Sequence, residues 1–348
     1  MSSEKQVPEE INHPFRDTRL HVLFQGIRLK LLPLLLGVVI SVFLLWLAFR
    51  EINFADIITR VNNLRWGPVI LALVLSIAST FLRAARWRLL LTPDNRVVPF
   101  IHLTGVLFFS QMLNVLIPLR VGEFARILLI QPIRKARTLG SIVIEKFLDL
   151  LTLVAFLLML PLSLSLPEWF KESSLSFLLI TLGVLMILTL LFILKEKLLH
   201  LLGKFLHHLP FGWYNKLEDA LSWGIKSLDV FRDPWLSLRL QAWSFLIWGV
   251  GFIINFVLFH ALGLDLPVSA ALFLLLVLQI GISLPNIPGK LGVFQYATIL
   301  ALSAFQVQKE IALTYSLVLY IIGFGPHLIL GAWFTWRFGL QQAEHKKS

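Results

Sequence analysis

Cysteine is absent from all 348 residues, which excludes disulfides, thiolate nucleophiles and cysteine-held metals. Charge is scarce as well: 15% of residues are Asp, Glu, Lys or Arg, against 57% hydrophobic. A water-soluble domain of this length does not need so much apolar surface. The short polar–apolar alternation that marks a membrane barrel is missing. Also missing are His-Glu-x-x-His, a Walker loop, Gly-x-Ser-x-Gly and an Asp-rich metal motif. Nothing therefore argues for a catalytic residue, a cofactor or bond chemistry. His102, His260 and His327 lie on separate apolar segments without ligand spacing, which argues against a metal.

What is present is long apolar runs. Residues 31–49, 66–82, 150–160, 177–194 and 242–262 approach or reach the length that crosses a bilayer. The expected fold is all-α: a polytopic integral membrane protein. Residues 1–28 mix both charge signs with Pro8 and Pro14, and no small-residue cleavage site follows. They read as a cytoplasmic tail, not a cleavable signal. The net charge of +11 would suggest nucleic acid in a soluble protein. Here it is better explained by basic residues gathered in cytoplasmic loops, so no nucleic-acid partner is expected. With the N-terminus inside, only Arg50, Arg60, Arg65, Lys171 and Lys309 fall outside. That bias places both termini on the inner side of the cytoplasmic membrane.

The map divides the chain into a tail (1–28), a first membrane repeat (29–161), a stretch 162–237, the rest of a second repeat (238–337) and a tail (338–348). The stretch 162–237 holds the second repeat's first span, 175–194, and a connector, 195–237. On the connector, Leu217, Leu221, Ile225 and Leu228 share one helical face, as in an amphipathic helix at the membrane surface. Each repeat has the same order: two spans, an interrupted pair, and a closing span. The pairs are 100–117 with 122–133 and 268–284 with 292–306. An odd number of crossings per half makes this an inverted-topology repeat. The segment 122–133 is short and charged, so a re-entrant hairpin is expected there, whereas 292–306 has the length to cross.

The two interruptions read almost alike. The first is Pro118-Leu119-Arg120-Val121-Gly122-Glu123; the second is Pro288-Gly289-Lys290-Leu291-Gly292-Val293. Proline halts a helix, glycine permits a tight turn, and the helix that restarts presents unpaired N–H groups beside a cation. That combination suits a phosphate or carboxylate, and Asn114 and Asn286 are placed to donate further hydrogen bonds. Paired interruptions in two halves are the best sequence pointer to a transporter's binding site.

Seven ionisable groups fall inside apolar segments: Arg120, Glu123, Arg126, Glu145, Lys146, Asp149 and Lys290. Unpaired in lipid they would cost on the order of 20 kcal/mol, so they must pair or line a wet cavity. Glu123 and Arg126 are three apart, as are Lys146 and Asp149, while Glu145 and Asp149 share a face. The structural alternative is that these charges only lock helices together. The cluster Arg83-Ala-Ala-Arg86-Trp87-Arg88 reads as a snorkelling interfacial anchor.

The run Asn114-x-x-x-Pro118-x-Arg120-x-Gly122-Glu123-x-x-Arg126, then Glu145-Lys146-x-x-Asp149, then Pro288-Gly289-Lys290-Leu291-Gly292-Val293-Phe294, resembles the lysylphosphatidylglycerol synthase transmembrane family of flippase-like proteins. The resemblance covers residues 30–337. It implies a membrane domain that moves lipids or lipid-linked molecules between leaflets. Longer relatives append a soluble synthase that transfers lysine from aminoacyl-tRNA to phosphatidylglycerol. The last span lies close to Ser348, so that activity is not expected here.

The expected partner is a membrane lipid with an anionic headgroup or a lipid-linked phosphate, held between the hairpin tips by Arg120, Arg126 and Lys290. Two other readings stand beside it. One is a lipid-headgroup enzyme with Glu145 or Asp149 as acid or base. The other is a non-transporting membrane partner of a glycosyltransferase or synthase, docked through 195–237.

Overall fold

The computed structural model describes residues 31–50, 52–91, 98–117, 121–130, 133, 135–160, 179, 183, 186, 233–283 and 288–345. The span expected at 175–194, apart from three isolated positions, and the connector face at 217–228 lie outside these residues. So do both ends of the chain.

Among the described residues every regular element is a helix. In order they are α1 (Leu31–Phe49), α2 (Phe54–Asn62), α3 (Trp66–Leu90), α4 (Phe100–Leu116), α5 (Val121–Leu129) and α6 (Lys135–Met159). Then follow α7 (Pro234–Ala261), α8 (Val268–Gly281), a 3₁₀ turn (Pro288–Lys290), α9 (Val293–Ser303) and α10 (Lys309–His345). Three are long and apolar enough to cross a bilayer: Trp66–Leu90, Pro234–Ala261 and Lys309–Arg337. A fourth candidate is the pair α1–α2, bent by 77°. The chain is a polytopic membrane protein.

Local sequence explains where helices begin. Asn53 caps α2 by accepting a hydrogen bond from the Ala55 amide at 3.1 Å. Asp233 caps α7 by accepting from the amides of Trp235 and Leu236, and Pro234 occupies the first helical position. The cap places the start of α7 four residues before the expected 238.

The interrupted pairs are helical hairpins with short legs. At about 1.5 Å per residue, the 9 residues of α5 span roughly 13 Å and the 11 of α9 roughly 16 Å. Neither crosses a hydrocarbon core of about 30 Å. The second return leg, given the length to cross in the linear sequence, is thus as abbreviated as the first.

Contacts between helices obey an approximate two-fold relation that swaps the halves. α3 packs along α7, its counterpart. α4 pairs with α5 and α8 with α9; α3 touches α4 and α7 touches α8; α6 lies on α7 and α10 on α3. Each hairpin also meets the closing helix of the opposite half, α4 against α10 and α8 against α6, although the first contact is far more extensive. Two apolar cores follow the same division. One joins Trp87, Leu103, Leu107, Ala125, Ile144 and Leu148 about the first hairpin; the other joins Leu258, Leu274, Phe294, Leu302 and Tyr315 about the second.

In the membrane, close approach of backbones matters more than apolar area. On α3 the buried residues Ala72, Ser76, Thr80 and Ala84 recur every fourth position as a stripe of small side chains. The stripe also carries polar groups to their partners. Pro326 lies inside α10 and has no N–H to give to the carbonyl of Ile322 one turn earlier. Ser76 Oγ donates to that carbonyl at 2.8 Å. A backbone acceptor orphaned by proline is therefore satisfied by a hydroxyl from the other half of the chain.

Ser76→Ala is expected to destabilise the protein by about 1–2 kcal/mol, the cost of a buried unsatisfied carbonyl. In a Pro326→Ala background, where the α10 amide returns, the same substitution should cost less than half as much. Thermal unfolding of the four proteins in one detergent closes the cycle.

Candidate functional site

The intramembrane charges form one connected chain. On α6, Glu145, Lys146 and Asp149 lie within little more than one turn. Asp149 Oδ1 lies 2.6 Å from Nη1 of Arg86 on α3, and Glu145 Oε1 lies 3.5 Å from Arg86 Nη2. The other oxygen of Glu145 meets Arg126 Nη2 at 2.7 Å, and Arg126 Nη1 reaches Glu123 at 3.3 Å along α5. Glu123 in turn receives Lys146 Nζ at 2.9 Å. Exposure rises along this path. Arg86 is fully buried, Glu145 and Asp149 are nearly so, and the Lys146 side chain is 45% exposed.

Neutral groups complete it. Arg86 Nη1 donates to Ser244 Oγ at 2.7 Å, and Trp248 Nε1 donates to Asp149 at 3.0 Å, so α7 joins α3, α5 and α6. The Arg126 guanidinium carbon lies over the Trp87 ring, 4.1 Å from its centroid, and Trp87 Nε1 donates to Ser141 Oγ. Arg86, Arg126 and Lys146 balance Glu123, Glu145 and Asp149 charge for charge. This is what the low-dielectric interior requires of buried ions.

Two sequence readings change. The Arg83–Arg88 cluster was expected to snorkel at the interface as a unit. Arg88 is exposed, but Arg86 is 0% exposed and anchors the network. The reason is its partners: two carboxylates on α6 offer more than headgroup water would. Lys146 was paired by spacing with Asp149; instead it turns to Glu123, because Arg86 and Trp248 already hold Asp149. Sequence reasoning missed Ser244 and Trp248 altogether. The only signal was their spacing of four on a helix already known to be apolar.

The hairpin turns share a capping device. The Gly122 amide donates to Asn114 Oδ1 at 2.9 Å, and the Gly292 amide donates to Gln295 Oε1 at 2.8 Å. Thus Asn114 accepts from the turn itself, and Gln295, 1% exposed, does for the second hairpin what Asn114 does for the first. Both glycines are sterically required. A Cβ on Gly122 would collide with the Ser110 carbonyl, and one on Gly292 with the Ser41 carbonyl on α1.

The second turn is unusual in its backbone. Gly289 and Gly292 have φ of 80° and 83°, and Lys290 between them has φ of 56°. For a residue with a Cβ the left-handed region costs roughly 1–2 kcal/mol. The turn is nonetheless held. Tyr320 Oη donates to the Gly289 carbonyl at 2.7 Å, and Lys290 Nζ sits 5.3 Å from the Phe324 ring centroid. The turn 288–290 packs on α4, so the second hairpin's tip meets the first hairpin's longer leg. Pro118, Arg120 and Asn286 lie outside the described residues, as does the side chain of Pro288. Among the described residues, no group of His, Asp and Glu is arranged to hold a metal ion.

The family described as the lysylphosphatidylglycerol synthase TM region matches residues 34–331 of the chain. A UPF0104 membrane protein of Pyrococcus horikoshii is 24% identical over 328 residues, covering 87% of this chain and 95% of its own length. No solved structure matches.

Arg86→Leu strands Asp149 and one oxygen of Glu145 and is expected to cost about 3–5 kcal/mol. The double substitution Arg86→Leu with Asp149→Leu should recover more than half of that loss. Thermal unfolding of both variants in the same detergent checks the difference.

Proposed function

The chain belongs to the lysylphosphatidylglycerol synthase TM-region family, and from that premise we propose that it binds an anionic lipid, or a lipid-linked phosphate, and passes it between leaflets. The observation that carries this reading is the meeting of the hairpins: the glycine-rich, cation-bearing turn 288–290 rests on α4 of the opposite hairpin. Turns of irregular backbone at membrane depth are tolerated only where they are buried in protein or line a watery path. Such a turn in one half, resting on the hairpin of the other, suits a site reached alternately from either side.

The buried charges have a defined part in this scheme. Arg126 is held between Glu123 and Glu145, so it fixes α5 against α6. Headgroup contact then falls to the turn cations, Arg120 and Lys290. In the absence of a Walker loop, movement is downhill, ion-coupled or driven by a partner. The cytoplasmic membrane, with both chain ends inside, is the setting that the loop charges favour. Headgroup chemistry by Glu145 or Asp149 is the weaker reading, because both carboxylates are committed to arginines.

In proteoliposomes carrying a fluorescent short-chain phosphatidylglycerol, the wild-type chain is expected to speed leaflet exchange, scored by reduction of outer-leaflet label. Arg120→Ala should slow that exchange at least tenfold while leaving the unfolding midpoint within a few degrees. Equal exchange for both proteins and for empty liposomes removes the proposal.

A further inference from the structure

Helix α10 carries three glycines and a proline between residues 323 and 331, and the glycines are not equivalent. A Cβ on Gly331 would collide with the Phe108 carbonyl and the Met112 side chain, so glycine there lets α10 close on α4. A Cβ on Gly323 would meet nothing within 4 Å, and one on Gly325 would make only an ordinary contact with Ile321, at 3.9 Å. Packing requires neither of these two. Glycine inside a helix weakens it relative to alanine, and alanine fits both positions. Pro326 removes a backbone hydrogen bond from the same stretch. Residues 323–326 therefore give up helix stability and gain freedom to bend.

This weak stretch divides α10 into two arms that hold different hairpins. On the N-terminal arm, Tyr320 Oη donates to the Gly289 carbonyl in the second hairpin's turn, and the Tyr320 ring packs on Phe294 of α9, centroids 5.6 Å apart. On the C-terminal arm, Phe334 stacks on Phe108 of α4 at 6.0 Å, beside the close approach of Gly331. Helix α3 is bonded to both sides of the stretch. Ser76 donates to the Ile322 carbonyl before it, and Thr80, one turn along α3, lies 3.2 Å from Nε2 of His327 after it. His327 Nδ1 must carry its proton to meet the Gly323 carbonyl at 2.8 Å, so Nε2 accepts from the Thr80 hydroxyl.

We propose that residues 323–326 are a hinge by which α10 moves the second hairpin relative to the first, and that Ser76 and Thr80 form the catch that holds one of its two positions. The inference rests on the translocation reading above and supplies its moving part. A site between hairpins opens to alternate sides only if the hairpins shift, and α10 grips both of them. Hinges are a few residues that absorb the backbone change while the arms stay rigid. Because α3 is joined to both arms, bending at 323–326 breaks the Ser76 bond or the Thr80 bond.

The test uses the absence of cysteine from the chain. Spin labels are placed at Ile101→Cys on α4 and Leu300→Cys on α9, which are 56% and 57% exposed. Double electron–electron resonance on the full chain in phosphatidylglycerol liposomes then reads the distance between the hairpins. With Ser76→Ala and Thr80→Val added, a second distance is expected to become about fivefold more populated than in the wild type, the shift that follows from losing one hydrogen bond of ordinary strength. Adding Gly323→Ala and Gly325→Ala to that protein should abolish it. With the catch intact, the two alanines are expected to slow leaflet exchange at least tenfold at an unfolding midpoint equal to or above the wild type's. Gly249→Ala on α7, whose Cβ would also meet nothing within 4 Å, should leave exchange unchanged.

The hinge is overturned if the catch-free protein keeps only the wild-type distance, or if the alanines leave its distribution as it was. It is equally overturned if they lower the midpoint, or if the alanine protein exchanges lipid at the wild-type rate. Should the wild type itself exchange no lipid, the translocation reading falls and the distances alone decide the hinge.

Discussion

Burying four formal charges inside a membrane body, with two more at its edge, is tolerable only because all six alternate in sign along one path. The short contacts Arg86–Asp149 and Arg126–Glu145 tie α6 to α3 and to α5, and Ser244 and Trp248 bring in α7. Each carboxylate serves two donors, so removing one member exposes another. The first hairpin has its return leg, α5, fastened at Arg126. Its apolar core of Trp87, Leu103, Ala125 and Ile144 closes round the same point. Without that electrostatic closure, a leg of 9 residues would have too little apolar contact to stay folded back.

The two halves solve one problem with different chemistry. In the first, ion pairs hold the return leg to the closing helix α6. In the second, the return leg α9 lies on α10 through Phe294, Tyr320 and Phe324, whose rings meet edge to face. What they share is the turn: a glycine packed against a backbone carbonyl, its amide capped by a side-chain amide oxygen. The network is neutral in itself, three cations facing three carboxylates.

Much of this was legible from residues alone. The long apolar runs set the helices, and the doubled Pro-x-cation-x-Gly interruption marked the hairpins, because proline and glycine act on their own backbone wherever they stand. The three-residue spacing of Glu123 and Arg126 anticipated a pair that forms. The same rule failed for Lys146 and Asp149, since local spacing carries no knowledge of a competitor on another helix. Arg86 looked like an interfacial anchor for that reason: its two partners are about sixty residues away on α6. The Ser76 hydroxyl beneath the gap left by Pro326 was equally hidden, because a hydroxyl in an apolar run has no preferred partner until helices dock.

The linear chain thus settled that this is an all-helical, polytopic membrane protein with two related hairpins, because hydrophobic length and backbone-restricting residues act locally. Which charge meets which was decided only when α3, α5, α6 and α7 came together. A salt bridge is a property of two positions in space, and in lipid its strength depends on everything that excludes water around it.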